Sequence, residues 1–346
     1  MTRFTPSRRV FLVGTAGLAL PTLARATRAG GNAVTARVGF IPIVGAAPVF
    51  VADRQGWARE GGLNLAFTAF ESGPNMIQAL ASGTIDVYAA GFAPLGVARA
   101  RGVDVKIIAS TAVGENVLVA SPRLAAHLLP GIPPAEALRR YRLATGRPAR
   151  LATQPPGSVP NATLQFWLWE QIKADRADAE IVTMGIDATQ QAVMADAVEG
   201  ATIREPALTI VQRRNPAIRL VAVGDELFPG QPGSVVAVSG AFLNRHADKV
   251  QVLVNAVVRA GAALRSDPDS VAADVAFHLA KGIVDHATIA ASLKSPASRF
   301  ETDPRRIIAP AKAMQDYQVK LGALREAVPL DSLFEPGFFL RAQAAS

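Results

Sequence analysis

Serine, asparagine and glycine recur in this chain where a strand would run into a helix, and those residues hold polar groups without reacting with them. Three such loops stand out: residues 42–47, 71–75 and 156–161. Their candidate ligand-binding residues are Pro42 and Ala46 in the first, Ser72, Gly73 and Asn75 in the second, and Gly157, Ser158 and Asn161 in the third. A helix start presents unpaired backbone N–H groups and a partial positive charge, so it accepts anionic or polar acceptor groups. Ordinary helix capping explains any one of these loops. Three of them converging on one cleft point to a ligand instead. Arg204 could add a bidentate fork for a carboxylate or sulfonate, or it could pair with its neighbour Glu205 or stay solvated. Glu115 and Asn116 fit a cleft floor or a hinge equally, and Phe92 and Met184 could cover an apolar ligand body or pack in the core.

Reactive constellations are missing from the sequence. There is no G-x-S-x-G elbow, no G-x-x-x-x-G-K-[ST] phosphate loop and no GxGxxG fingerprint. The chain has no cysteine, which removes disulfides, lipid attachment and thiolate metal sites. His127, His246, His278 and His286 are scattered, and the last two are too far apart to sit side by side on a helix. Neither a catalytic residue, a metal nor a cofactor is expected. The formal charge of +8 has no dense basic run behind it, so nucleic acid is not an expected partner.

Four of the positive charges, Arg3, Arg8, Arg9 and Arg25, fall in a segment with export features. Ser7-Arg8-Arg9-Val10-Phe11-Leu12 resembles a twin-arginine motif. An apolar stretch from Val10 to Leu20 follows, too short for the ~20 residues of a membrane-spanning helix. Ala24-Arg25-Ala26 then offers a small-x-small cleavage pattern. Residues 1–26 are therefore expected to be a signal peptide, cleaved near Ala26, that delivers the protein to the periplasm.

The elements that must position the loops alternate. Period-2 or β-branched runs predict strands over 37–41, 63–67, 85–89, 105–109, 117–120, 150–152, 181–184, 201–203, 220–223 and 235–238. Helical patterns fall between them, including 48–54, 75–81, 94–101, 135–141, 161–174, 189–198 and one from Pro206. Beyond His246 the pattern is almost wholly helical, and no internal repeat is legible. Such alternation predicts an α/β fold of mostly parallel sheets flanked by helices.

Several segments in order are similar to the binding-protein family of nitrate, taurine and alkanesulfonate importers. They are Val38-Gly39-Phe40-Ile41-Pro42 with Ala47-Pro48, then Gly56-Trp57 and Glu60-Gly61-Gly62-Leu63, then Ser72-Gly73-Pro74 with Ala79-Leu80-Ala81-Ser82-Gly83-Thr84-Ile85-Asp86-Val87, then Gly157-Ser158, and Glu205-Pro206 after Ala201-Thr202-Ile203. The resemblance implies a two-lobed type II periplasmic-binding-protein fold with ligand in the cleft. Residues 37–113 plus 236–346 would form lobe 1 and 114–235 lobe 2. It further implies a monomer that captures a small, anionic solute and hands it to an ABC permease with its ATPase. A sensory receptor remains an alternative, as does an enzyme of the thiamine-pyrimidine branch. One departure matters: the family often has an aromatic residue before Glu-Pro, where this chain has Arg204.

Overall fold

A computed structural model describes Met1, residues 33–279 and residues 284–345; the expected export segment lies outside the described residues. Ten strands form two five-stranded sheets. They are β1 (Val34–Phe40), β2 (Leu63–Ala69), β3 (Val87–Gly91), β4 (Val105–Ser110), β5 (Val117–Ala120), β6 (Ala149–Thr153), β7 (Ala179–Thr183), β8 (Gly200–Ile203), β9 (Arg219–Val223) and β10 (Ser234–Ser239). The first sheet has the order β2-β1-β3-β10-β4 and the second β7-β6-β8-β5-β9.

Each sheet contains one reversed strand. β10 pairs antiparallel with β3 and β4, and β5 pairs antiparallel with β8 and β9, while the remaining ladders are parallel. The mostly parallel expectation holds for strand direction but not for pairing. The reason is connectivity. A parallel neighbour needs a crossover of a dozen or more residues, usually a helix. β5 and β10 instead arrive from the opposite sheet through the short connections 111–116 and 224–233.

The two sheets are anchored at their bases by the same device. Asp86, just before β3, accepts the Arg37 backbone N–H at 3.0 Å and that guanidinium at 2.8 and 2.7 Å. Its own N–H donates to the Arg37 carbonyl and its carbonyl accepts from Ser239 N–H. Glu199, just before β8, accepts the Arg150 backbone N–H at 2.8 Å, donates to the Arg150 carbonyl and accepts from Ser121 N–H. Its carboxylate also pairs with Arg147 at 2.9 Å and Arg123 at 3.0 Å. The repeat is thus spatial, although the sequence shows none.

Helices cover both sheets. The strand faces carry Val, Ile and Ala that are buried with the helix Ala247–Ser266 against the first sheet, and Leu118, Leu151 and Trp167 fill a separate core of the second. Two helices stop earlier than their periodicity predicts. Val159–Phe166 passes through a π-helical turn at Trp167–Gln171 and ends at Lys173, whose φ is +55°. Ile186–Met194 ends at Asp196, with φ +53°. A left-handed residue terminates a helix well, but only glycine advertises it. Short helices at Trp57–Glu60, Pro122–Ala125, Gly224–Leu227 and Gly240–Arg245, and a terminal one at Gly337–Ala344, are additions to the expected pattern.

Burial alone would raise the Asp86 carboxyl, but the bonds from Arg37 outweigh it and hold the group below the usual carboxylate range. Its stabilising contribution is therefore full above the unfolded value of about 3.9 and is lost as pH falls through the lower folded value. Asp86→Ala is expected to cost about 1 kcal/mol at neutral pH through the lost bonds to Arg37, because the half-exposed guanidinium is rehydrated. Urea unfolding should find that deficit shrinking below about pH 4.

Candidate functional site

The carboxyl ends of the parallel strands of both sheets meet at a seam, the position where open α/β sheets take ligands. Arg204, the residue after β8, is buried there. Its Nη1 donates to Glu115 Oε1 at 3.1 Å and its Nη2 to Gln154 Oε1 at 3.1 Å. Ser234, which opens β10, donates to the same Glu115 oxygen at 2.7 Å. The paired side chains are only 2% and 3% exposed, so neither charge is relieved by water. Glu115 Oε2 and Arg204 Nε have no hydrogen-bond partner among the described residues.

Gly45 makes room for this pair. A Cβ on it would lie 1.9 Å from Glu115 Oε2, so no side chain fits. Tyr88 lies close to the same charges; burial pushes its phenol far above the ordinary range, and its O–H donates to the Gly91 carbonyl at 2.8 Å. Two backbone bonds cross the seam: Val44 N–H to Glu205 O at 2.9 Å, and Ile186 N–H to Glu71 O at 3.3 Å.

Two openings are lined by residues from both sides of the seam, and Arg204 borders the first. A pocket of about 210 Å³ is walled by Pro42 and Ile43 on one side and by Ile186, Arg204, Pro206 and Ile210 on the other, with Asp187 and Glu205 as acids. A groove of about 370 Å³ runs between Pro74, Asn75 and Pro94 on one bank and Pro156 and Gly157 on the other. Both have polar groups set in largely apolar walls, the usual make-up of a small-molecule site. Burial raises the Glu205 carboxyl, against the opposing bonds from Ser295 and Thr209. Thr209 donates to it through its hydroxyl at 3.0 Å and its N–H at 3.1 Å.

The structure brings Pro42, Arg204 and Glu205 to one opening and Asn75 and Gly157 to the other, with Glu115 buried against Arg204. Other expected residues do structural work. Ser72 and Ser158 cap helices by accepting from Asn75 N–H at 3.4 Å and Asn161 N–H at 3.3 Å. Asn161 donates to the Gln154 carbonyl at 3.2 Å and so braces the residue that holds Arg204. Asn116 donates to Gln231 through its backbone at 2.8 Å and its amide at 3.0 Å, tying the two inter-sheet connections together. Gly73 packs where a Cβ would meet Pro94 and the Tyr88 hydroxyl, and Ala46 is buried in the turn Val44–Ala46. Phe92 stacks on Phe334 in the core, with centroids 6.0 Å apart, and Met184 borders the second sheet's core.

Arg204 requires a correction. It neither pairs with Glu205 nor reaches solvent, and its fork is already occupied by Glu115 and Gln154. Tyr88, Gln154 and Ser234 escaped the sequence reading because no local pattern marks them, and Gly45, inside the expected 42–47 loop, makes room for Glu115.

Removing one partner of a buried pair strands the other charge and costs about 3–5 kcal/mol. Arg204→Met should show that loss in urea unfolding, and Arg204→Met combined with Glu115→Gln should recover most of it; strict additivity would contradict the coupling. Glu205 tests the opposite sign. A raised folded pKa means the carboxyl destabilises when ionised, and this penalty fades as pH falls toward the unfolded value. Glu205→Gln should therefore raise Tm at pH 8 relative to the native chain, with the difference shrinking toward pH 5.

Residues 29–280 match the model of the NMT1-like family. A search of curated proteins found no match. Among solved structures, the periplasmic nitrate-binding protein NrtA from Synechocystis PCC 6803 is similar at 15% identity and TM-score 0.75, over 90% of this chain and 88% of that one. The alkanesulfonate-binding protein SsuA from Xanthomonas axonopodis pv. citri, bound to MOPS, is similar at 18% identity and TM-score 0.68, over 88% and 100%. The desulfurization enzyme DszB is similar at 16% identity and TM-score 0.62, over 90% and 99%. At these identities the likeness establishes the fold: a two-lobed α/β architecture of the type II periplasmic-binding-protein kind, shared by binding proteins and an enzyme. The family match spans well over half of the chain, and the protein belongs to the NMT1-like family.

Proposed function

We propose that the chain is the extracytoplasmic solute-binding component of an ABC importer, taking a small polar molecule between its two lobes and delivering it to a membrane permease with its ATPase. The observation that carries this reading is the pocket whose walls come from both sides of the seam, Pro42 and Ile43 facing Ile186, Arg204 and Ile210. The names of the similar nitrate- and alkanesulfonate-binding proteins support it. The ligand needs an apolar body for the isoleucine walls and at least one acceptor for the spare Arg204 Nε. Because the guanidinium fork is held by Glu115 and Gln154, an oxyanion must either displace those partners or bind elsewhere along the seam. The lobes would comprise residues 37–113 with 236–346 and residues 114–235. Export by the twin-arginine route, with cleavage near Ala26, would bring the protein to the periplasm as a monomer.

An enzymatic role is the alternative reading, since the desulfurization enzyme DszB has a similar fold. The chain has no cysteine, and His278 is stacked on Phe50 and lies 3.3 Å from Asp53 rather than at the seam.

Ligand occupancy raises native-state stability by mass action, about 2.7 kcal/mol at a hundredfold excess over Kd. A thermal-shift screen of nitrate, sulfonates, aromatic carboxylates and pyrimidine precursors should yield at least one saturable stabiliser. Gln190 also lines this pocket, and Gln190→Trp should weaken the stabiliser's binding tenfold or more without lowering the ligand-free Tm. A stabiliser that binds this variant unchanged would remove the pocket from the account.

A further inference from the structure

A second pocket lies at the base of the first sheet, at the strand ends opposite the seam. It measures about 570 Å³ and is lined by Arg37, Asp86, Arg101, Asp104, Ser239 and Arg245 among others. Both carboxylates are already engaged: Asp86 by Arg37 at 2.7 Å and Asp104 by Arg99 at 2.8 Å. Arg101 and Arg245 have no ion pair and no side-chain hydrogen bond among the described residues. Arg245 is close enough to Asp86 to favour its ionised form, so its charge bears on the pocket floor.

The second sheet supplies an internal comparison. Its equivalent clamp at Glu199 is also surrounded by arginines, yet every one has a carboxylate: Arg123 pairs with Asp196 and Glu199, Arg147 with Glu199, and Arg150 with Glu180. The clamp itself therefore does not call for spare guanidinium groups. The first sheet carries two over a cavity, and the second carries none.

We propose that this base pocket is a binding site for a small phosphate-type oxyanion, held by Arg101 and Arg245 above the Arg37–Asp86 clamp. Two planar forks suit the several oxygens of a phosphate better than a monatomic anion. The pocket is also roomy enough for a phosphate carried on a small organic group. It is separate from the seam pocket and does not depend on the transport reading.

The test uses the whole chain with inorganic phosphate as the probe, titrated calorimetrically at constant ionic strength maintained with sodium chloride. Saturable phosphate binding is expected, weakened tenfold or more by Arg245→Ala and by Arg101→Ala, and unchanged by Arg123→Ala at the second clamp. Both pocket arginines are exposed, so these variants should keep the native circular dichroism spectrum. Arg245 lines this pocket and not the groove beside Pro74 and Gly157, whereas Arg101 borders both, which makes Arg245→Ala the decisive variant. A parallel arm presents vesicles of phosphatidylglycerol: retention on vesicles together with phosphate competition would identify a lipid headgroup as the source of the oxyanion. Absence of saturable phosphate binding, or equal binding by the native chain and Arg245→Ala, would overturn the site.

Discussion

A buried charge must find its counter-charge, and in this protein the requirement is met across the seam. Arg204 comes from the second sheet, Glu115 from a connection between sheets, Ser234 from the first sheet and Gln154 from the end of β6. No single sheet supplies the whole network. Removing either partner would leave the other charge buried without its counter-charge. The glycine at 45, the capped loops and the bracing amide of Asn161 all serve that alignment.

Much of the fold was legible because it follows local rules. Short β-branched runs bounded by turns marked all ten strands, with β3 displaced by two residues at its start because the Ile85 N–H donates to the Ala79 carbonyl and Asp86 belongs to the clamp rather than the ladder. The helix overshoots at Lys173 and Asp196 came from non-glycine residues in a left-handed conformation, which no periodicity reveals. The reversal of β5 and β10 is a property of how the chain travels between sheets, and alternation of elements cannot report it.

The site was legible only in part. Helix-start loops were identifiable from Ser, Asn and Gly, and Asn75 and Gly157 do border the groove. Yet the same residue types cap helices for structural reasons, as Ser72 and Ser158 do here. The chemistry of Arg204 was open in the sequence because its partner Glu115 is 89 positions away. Sequence neighbours such as Glu205 were the natural guess, and the fold turned that carboxylate toward Thr209 instead. The twofold repetition of the basal clamps was similarly hidden, since Asp86 and Glu199 share a role and a location but no surrounding motif.

The seam and the bases of the sheets make opposite demands. The clamps at Asp86 and Glu199 hold each lobe rigid within itself, whereas the bonds from Val44 and Ile186 join one lobe to the other and are the ones a solute should reinforce. Residue-resolved hydrogen exchange with and without a saturating solute measures this directly. The Val44 and Ile186 amides are expected to slow on binding while the Arg37 and Arg150 amides hold their rates. Unchanged exchange at the two seam amides, or equal slowing at the clamps, would contradict it.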